Sequence, residues 1–233
     1  MDREQGLSLL ASRGWLAGTQ PEFRNRFLSL ARWRAVEPGM TVTLGGEDID
    51  DVVGLAEGSV VLTSVLGEAT TPVMHMAHAV FWVGYGPLFL DQPRRVTVEA
   101  RTSLWVARFP KAKILALLCE TPAWWRCLTP LLLEYGDICA LIASDLLIRR
   151  SDRRLAATIL RFAGLRNPGT APCHPVRLPV TQSELAEASN LSRNVTCVIL
   201  QEFAAKGWIK VEYRGLVLDD AQGLRRFLAA EPV

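Results

Sequence analysis

The sequence predicts an α+β protein with a mainly β amino-terminal half, then one long helix, then a carboxyl-terminal pair of short helices followed by a β-hairpin. Three observations predict it. Short β-branched runs alternate with glycine turns between Trp33 and Phe109. An apolar stripe continues at helical spacing from Leu128 to Leu146. A hydroxyl and a carboxylate at capping distance open a compact helical pair at Thr181. With 233 residues, 49 % of them hydrophobic, the chain is large enough to bury one sizeable core or two modest ones.

Residues 5 to about 32 have helical spacing: Leu7, Leu9 and Leu10, then Phe23, Phe27, Leu28 and Leu30, with a break from Gly14 to Pro21. The texture then changes. Met40-Thr41-Val42-Thr43-Leu44, Asp51-Val52-Val53, Val60-Val61-Leu62-Thr63 and Val96-Thr97-Val98-Glu99-Ala100 are strand-like runs punctuated by Gly45-Gly46 and Gly58. Strands this short and this frequent point to a sandwich, roll or barrel rather than a parallel sheet with crossover helices.

Pro110 opens a short helix through Cys119, because its missing N–H costs nothing in a first turn. Thr121 reads as an N-cap with Pro122 at the first helical position, and a longer helix is expected from there to about Ile148. Leu128, Leu131, Leu132, Tyr135, Ile138, Leu141, Ile142 and Leu146 form its stripe, on a helix of about 26 residues and about 40 Å. So long a helix needs another long surface, either a twofold partner helix or the β domain of the same chain. Arg149-Arg150-Ser151-Asp152-Arg153-Arg154 marks a junction, after which Leu155, Ile159, Leu160 and Ala163 start another helix ending near Gly164 to Gly169. Asn167-Pro168-Gly169-Thr170-Ala171-Pro172 is a loop by composition.

The most informative segment is 178–218. Thr181-Gln182-Ser183-Glu184 has capping-box spacing, and Leu185, Ala186 and Ala188 give the helix that follows an apolar side. Ser189-Asn190-Leu191 is a tight turn, and Ser192 caps the next helix. Thr196, Ile199, Leu200 and Phe203 fall at i, i+3, i+4 and i+7, which makes them the buried face and leaves Arg193, Asn194, Cys197 or Val198, and Gln201 outside. Gly207 ends this helix, Trp208-Ile209-Lys210-Val211 reads as a strand, Tyr213-Arg214-Gly215 as a turn and Leu216-Val217-Leu218 as the return strand. Two short helices across about three residues, followed by a hairpin, make a winged helix-turn-helix, in which the first helix braces the second in a DNA major groove. Arg193 can donate two bonds to guanine, Asn194 or Gln201 can pair with adenine, and Val195 or Val198 can touch a thymine methyl, while Lys210 and Arg214 are placed for phosphates.

Charge agrees with this division. Residues 1–148 carry 13 Lys/Arg against 16 Asp/Glu, a net of −3, whereas residues 149–233 carry 13 against 8, a net of +5. The basic end is the one expected to meet a polyanion. The start, Met1-Asp2-Arg3-Glu4-Gln5, lacks the features of a signal peptide, and no window approaches 18 uninterrupted apolar residues, so no membrane span and a cytoplasmic location are expected. Five cysteines, Cys119, Cys127, Cys139, Cys173 and Cys197, form no CxxC pair, which argues against a disulfide framework, a zinc knot or an iron–sulfur run.

Catalysis finds little support. The sequence has no Gly-x-Ser-x-Gly elbow, HExxH or phosphate-cradling loop, and only three histidines, His75, His78 and His174. His75 and His78, flanked by Met74 and Met76, could ligate haem iron or another metal, but at three residues apart on a strand or turn they do not share a face, so no metal site is assigned and the cofactor is unknown. Phe81, Trp82 and Tyr85 with Arg94 and Arg95 either line a pocket for an aromatic or anionic metabolite or are core packing beside solvated arginines.

With these residues in view, the chain resembles the Crp/Fnr family of bacterial transcription regulators over nearly its whole length. The family's recognition helix opens Ser-Arg-Glu-Thr-Val; here it reads Ser192-Arg193-Asn194-Val195-Thr196, after Leu178-Pro179-Val180-Thr181-Gln182-Ser183-Glu184-Leu185-Ala186. Asn194 replaces the family's base-contacting Glu, and Val198 the Arg common on the same face, so the usual half-site preference is not carried over. Glu37-Pro38-Gly39, Gly46-Glu47-Asp48 and Gly58 resemble turns of the family's β-roll, and Arg153-Arg154-Leu155-Ala156 resembles the helix start after its dimer hinge. Nucleotide-binding members hold a cyclic phosphate with Gly-Glu and Arg-Ser-Ala; the matching stretch here is Gly84-Tyr85-Gly86-Pro87-Leu88 through Arg94-Arg95-Val96, with Tyr85 at the Glu position and Arg95 at the Ser position.

The resemblance implies three regions: a jelly-roll-like β-roll sensor with amino-terminal helices over 1–120, a dimerisation helix over 121–148 and a winged helix-turn-helix over 149–233. It implies a homodimer that binds double-stranded DNA and responds to a small-molecule effector other than cyclic AMP, with no membrane association. The implied DNA contacts come from Thr181, Gln182, Ser192, Arg193, Asn194, Val195, Cys197, Val198, Gln201, Lys210 and Arg214, and the implied effector pocket from Gly84, Tyr85, Arg94, Arg95 and Val96. The competing reading is an effector-binding β-roll protein with a vestigial DNA-binding head, since Val195 and Val198 soften the polar reading face.

Overall fold

A computed structural model describes residues 1–47, 51–66, 72–90, 92–166 and 175–230. Asp48, Cys173, His174 and the loop expected over 167–172 lie outside the described residues. The chain divides into two compact units, Met1–Ala69 with His78–Asp137, and Thr70–Ala77 with Ile138–Val233. The division runs inside the long helix rather than at either of its ends.

The first unit opens with α1 (Arg3–Ser12), started by Asp2, whose side chain accepts the Gln5 N–H at 2.8 Å while the Gln5 side chain accepts the Asp2 N–H. A 3₁₀ turn, Trp15–Gly18, fills the expected break, and α2 (Pro21–Ser29) begins on a proline, as helices tolerate. The strands follow: β1 (Arg32–Val36), β2 (Thr41–Thr43), β3 (Asp51–Glu57), β4 (Ser59–Ser64), β5 (Val73–His78), β6 (Phe81–Val83), β7 (Val96–Ala100) and β8 (Leu104–Pro110), with the short helix α3 (Gly86–Phe89) between β6 and β7 and α4 (Lys111–Glu120) after β8.

One antiparallel sheet has the order β1-β8-β3-β6, and in the other β7 lies antiparallel between β2 and β4, with Val61 opposite Glu99. Apolar residues of both sheets, Val53, Leu55 and Val106 from one and Val42, Val60 and Val98 from the other, surround an interior void of only about 10 Å³. This is the roll the glycine-punctuated strands predict. Gly58 turns β3 into β4 at φ +95°, where a Cβ would stand 2.5 Å from the Ser103 carbonyl oxygen, so only glycine fits. A second apolar layer joins the helices to the first sheet: Phe27 stacks on Phe109 at 4.7 Å, and Trp82 meets Trp15 at 5.4 Å and Phe109 at 5.3 Å. Trp82 therefore belongs to the core and Phe81 to the sheet interior. Of the two readings the sequence left for them, pocket lining and core packing, their positions agree with core packing.

The single helix expected from Pro122 to Ile148 is two segments, a 3₁₀ helix over Pro122–Leu128 and α5 over Thr129–Leu146. Pro130 explains the change, since it has no N–H to give to the carbonyl four residues back and its ring crowds that carbonyl. Thr121 makes no side-chain cap bond. The apolar stripe is also divided. Leu128 and Leu131 are buried in the first unit's core, whereas Leu132, Leu133 and Leu146 are 42 %, 63 % and 40 % exposed. By length and composition alone, Pro122–Leu146 could cross a bilayer, with a mean hydropathy of 1.4. Four charged residues interrupt it, however: Arg126, Glu134, Asp137 and Asp145, the last held in an ion pair.

In the second unit α6 (Ser151–Phe162) starts on Ser151, earlier than Leu155, because the basic run is itself the first helical turn: Arg150 is the N-cap and Asp152 accepts the Arg153 N–H at 2.8 Å. Next come β9 (Val176–Leu178), α7 (Gln182–Ala188), α8 (Arg193–Ala205), β10 (Ile209–Glu212), β11 (Gly215–Leu218) and α9 (Ala221–Ala229). The expected hairpin is the β10–β11 part of a three-stranded sheet that β9 completes, with Leu178 opposite Leu216. Helix α9, capped by Asp220, brings Phe227 to within 5.7 Å of Phe203 and 5.3 Å of Trp208 and closes the core.

Asp145, near the end of α5, is wholly buried and accepts from Arg161 Nε at 3.0 Å and Arg166 Nε at 2.9 Å, and Arg161 Nη1 donates to the Met74 carbonyl at 2.7 Å. His75 lies edge-on to Phe162 at 6.4 Å, while His78 Nδ1 lies 2.8 Å from Ser59 Oγ. The two histidines have separate surroundings, and among the described residues no group of three or more His, Cys, Asp or Glu could hold a metal ion.

Candidate functional site

The helical pair of the second unit is built by local bonds that the sequence spells out. Thr181 Oγ1 accepts the Glu184 N–H at 3.2 Å, and the Glu184 carboxylate accepts from both the Thr181 N–H at 2.7 Å and its hydroxyl at 2.8 Å. Four residues, Ser189 to Ser192, separate α7 from α8. Ser189 is fully buried with its hydroxyl on the Leu185 carbonyl at 2.6 Å, and Asn190 takes φ +50°, a left-handed conformation that Asn tolerates well. Arg154 of α6 clamps this turn, donating to the Ser189 carbonyl at 2.7 Å and the Asn190 carbonyl at 3.3 Å, and holds the Ile148 carbonyl at 2.7 Å with a third N–H. The sequence reading placed Arg154 in a junction and assigned it no such contact. Only its position in the first turn of α6 hints at it.

On α8, Thr196, Ile199, Leu200 and Phe203 are buried and Ser192 Oγ accepts the Val195 N–H at 3.3 Å. Arg193, Asn194 and Gln201 are exposed, as are Val195 at 41 % and Val198 at 55 %. The face is thus an arginine and two amides interleaved with two valines. The remaining sequence-named residues sort as follows. The Thr181 hydroxyl and N–H are both taken up in the capping box, whereas Ser192 Oγ accepts the Val195 N–H and keeps its own hydrogen to donate. Cys197 is half-buried and gives its thiol hydrogen to Gln182 Oε1 at 2.8 Å, tying α8 to α7. Lys210 pairs with Asp219 at 3.1 Å but is 73 % exposed, and Arg214 is exposed at the hairpin tip with φ +53° beside Tyr213, 93 % exposed.

The first unit holds a cavity of about 270 Å³, and Gly84, Tyr85, Arg94, Arg95 and Val96 all line it. They do different things there. Tyr85 is buried edge-on to Tyr135 of α5 at 5.9 Å. The Arg94 side chain is 2 % exposed, with Nη2 donating to Asp51 Oδ1 at 2.9 Å and the Asp51 carbonyl at 2.6 Å, while the other Asp51 oxygen takes Arg108 Nη1 at 2.7 Å. Burial pushes the Arg94 guanidinium below its ordinary pKa, against the pull of Asp51. Gly84, at φ +82°, makes room for it, since a Cβ would stand 2.1 Å from Arg94 Nη1. Arg95 is exposed and donates to Gln92 at 2.7 Å. Arg94, which stands at the position of the family's phosphate-holding Arg, is thus bonded to Asp51 inside the wall.

Residues 153–227 match the model of the Crp-like helix-turn-helix domain and residues 33–120 that of the cyclic nucleotide-binding domain, together most of the chain. The chain belongs to the Crp/Fnr family of transcription regulators. Members are regulators rather than enzymes, and this Crp/Fnr chain carries both modules in the family's order. It is 22 % identical over 198 residues to a "probable transcriptional activator" of Rhizobium leguminosarum bv. viciae, covering 84 % of this chain and 81 % of that one. Its fold is that of FixK2 from Bradyrhizobium japonicum, with TM-score 0.70, 16 % identity and 87 % and 99 % of the two chains covered. The c-di-GMP-responsive global regulator CLP of Xanthomonas campestris gives 0.64, 20 % identity and 86 % and 99 %.

Proposed function

We propose that this Crp/Fnr regulator is a cytoplasmic homodimer that binds double-stranded DNA sequence-specifically through α8 and answers to an effector other than cyclic AMP. One observation carries the reading: α8 buries Thr196, Ile199, Leu200 and Phe203 and leaves Arg193, Asn194, Val195, Val198 and Gln201 to solvent on a helix braced by α7. That is the side-chain set for base edges, with Arg193 for a guanine, an amide for an adenine and the valines for thymine methyls. Lys210 and Arg214 supply phosphate contacts that position the helix without reading sequence.

The half-exposed stripe of α5, Leu132 through Leu146, supports a twofold partner helix, because apolar surface of that extent at helical spacing is stabilised by covering it. The commitment of Arg94 to Asp51 supports an effector without a cyclic phosphate. The regions assigned to these roles remain 1–120, 121–148 and 149–233. Selection of bound duplexes from a random pool, read with and without cell metabolites, tests the reading: an enriched half-site repeated with twofold symmetry is the expected result. The exposed Val195 and Val198 favour a second reading, a roll protein whose head has lost its DNA role; effector binding without enrichment of any duplex would establish it.

A further inference from the structure

We infer that the cavity of the first unit takes a small, uncharged, mainly apolar molecule of about two fused rings, bearing one hydroxyl or carbonyl that pairs with Thr43, and that it rejects phosphate-bearing ligands. The inference rests on the reading of the chain as an effector-responsive regulator and names the chemical class of the effector. Three observations carry it.

The first is the wall. Val83, Phe89, Leu90, Val96, Leu132 and Tyr135 supply apolar surface on several sides of a cavity of about 270 Å³. A dry apolar cavity of about 150 Å³ holds one benzene ring, so this one has room for a bicyclic compound. Leu132 and Tyr135 belong to α5, so the occupant would touch the helix that leads out of the roll.

The second is Thr43 on β2. It lines the cavity, is 2 % exposed, and its Oγ1 has no hydrogen-bond partner among the described residues. A buried hydroxyl left unpaired is costly, and a single polar atom on the occupant would satisfy it.

The third is charge. Asp51 holds the Arg94 guanidinium and gives its other oxygen to Arg108, with the Glu47 carboxylate adding a second negative charge, so a phosphate brought to Arg94 would meet these carboxylates. Arg95 is a solvated cation bonded to Gln92, which attracts anions only weakly.

Calorimetric titration of the full-length protein with 2-naphthol, naphthalene, 2-naphthyl phosphate and cyclic AMP tests this. Saturable binding of 2-naphthol, one per chain, is expected, with the phosphate ester and cyclic AMP at least about ten-fold weaker. Thr43→Val should weaken 2-naphthol about five-fold and leave naphthalene within about two-fold. Gly86 lines the cavity and an added Cβ there meets nothing within 4 Å, so Gly86→Phe should abolish both without unfolding the chain, which melting curves check. Absence of 2-naphthol binding to folded protein, equal or tighter binding of the phosphate ester, or equal losses for both naphthalenes in Thr43→Val overturns the proposal. Duplex selection on the same preparation keeps the two readings apart. Enrichment of a site without 2-naphthol binding sinks the cavity proposal alone, and 2-naphthol binding supports that proposal whichever way the duplex result falls.

Discussion

Arg161 Nε donates to Asp145 Oδ2 at 3.0 Å, with the two side chains only 2 % and 0 % exposed. Asp145 lies in the last turn of α5 and Arg161 in the last turn of α6, so the pair ties two consecutive helices together away from water. Burial pushes Arg161 below its ordinary pKa while Asp145 pulls the other way, which marks a charge that depends on its partner. Asp145→Ala should lower stability by about 3–5 kcal/mol, because it strands that cation, and Asp145→Ala with Arg161→Met should recover much of the loss. Urea unfolding followed by circular dichroism measures both, and an unchanged midpoint in the single variant would show that the pair contributes nothing.

Arg193→Ala should cost about 1–3 kcal/mol on the selected duplex with little change on a random one. Lys210→Ala should weaken both alike and flatten the salt dependence. Fluorescence anisotropy at several salt concentrations separates the two patterns. Equal binding by wild type and Arg193→Ala on the selected site would remove the reading role from Arg193.

Thr181→Ala removes the hydroxyl that accepts the Glu184 N–H and should cost about 1 kcal/mol. Thr181→Ser keeps that acceptor and should stay close to wild type. Thermal melts compare the pair, and identical losses in both would mean that the methyl group, rather than the cap, matters.

The Glu134 carboxyl on α5 is pushed above its ordinary pKa, first by burial and then by Asp137. A folded-state pKa above the unfolded one means that the folded chain binds more protons between the two, so this group favours the folded state as pH falls through that window and opposes it above. Glu134→Gln should therefore raise the Tm at pH 8 and lose that advantage at pH below the unfolded carboxylate value. A pH-independent difference between the two proteins would point to packing rather than ionisation.

Where the sequence was legible, the signal was local. The Thr181–Glu184 box, the Ser192 cap, the buried i, i+3, i+4, i+7 face of α8 and the glycine at Gly58 are each set within a few residues, and each stands where periodicity and capping chemistry put it. What was missed depended on residues far apart in the chain. β9 is three residues long and becomes a strand only by pairing with β11. The stripe of α5 reads as continuous in sequence, yet Leu131 and Leu132 differ sharply in exposure because Leu131 turns into the first unit's core while Leu132 lines its cavity. Arg94 matched a phosphate ligand by position, and its commitment is decided by Asp51, 43 residues away. Helix α9 carries its own cap at Asp220, a signal as local as the others.

The thiol bond from Cys197 to Gln182 Oε1 has a chemical consequence for what the amino-terminal end of α7 can recognise. With one of the oxygen's two lone pairs held by the thiol, Gln182 keeps both N–H groups for phosphate oxygens, guanine O6 and N7 or thymine O4, but has a single lone pair left for the exocyclic amine of cytosine or adenine. Exchanging Cys197 for a residue without a hydrogen to give would release that lone pair and the anchoring of the amide with it, and so widen the choice of bases.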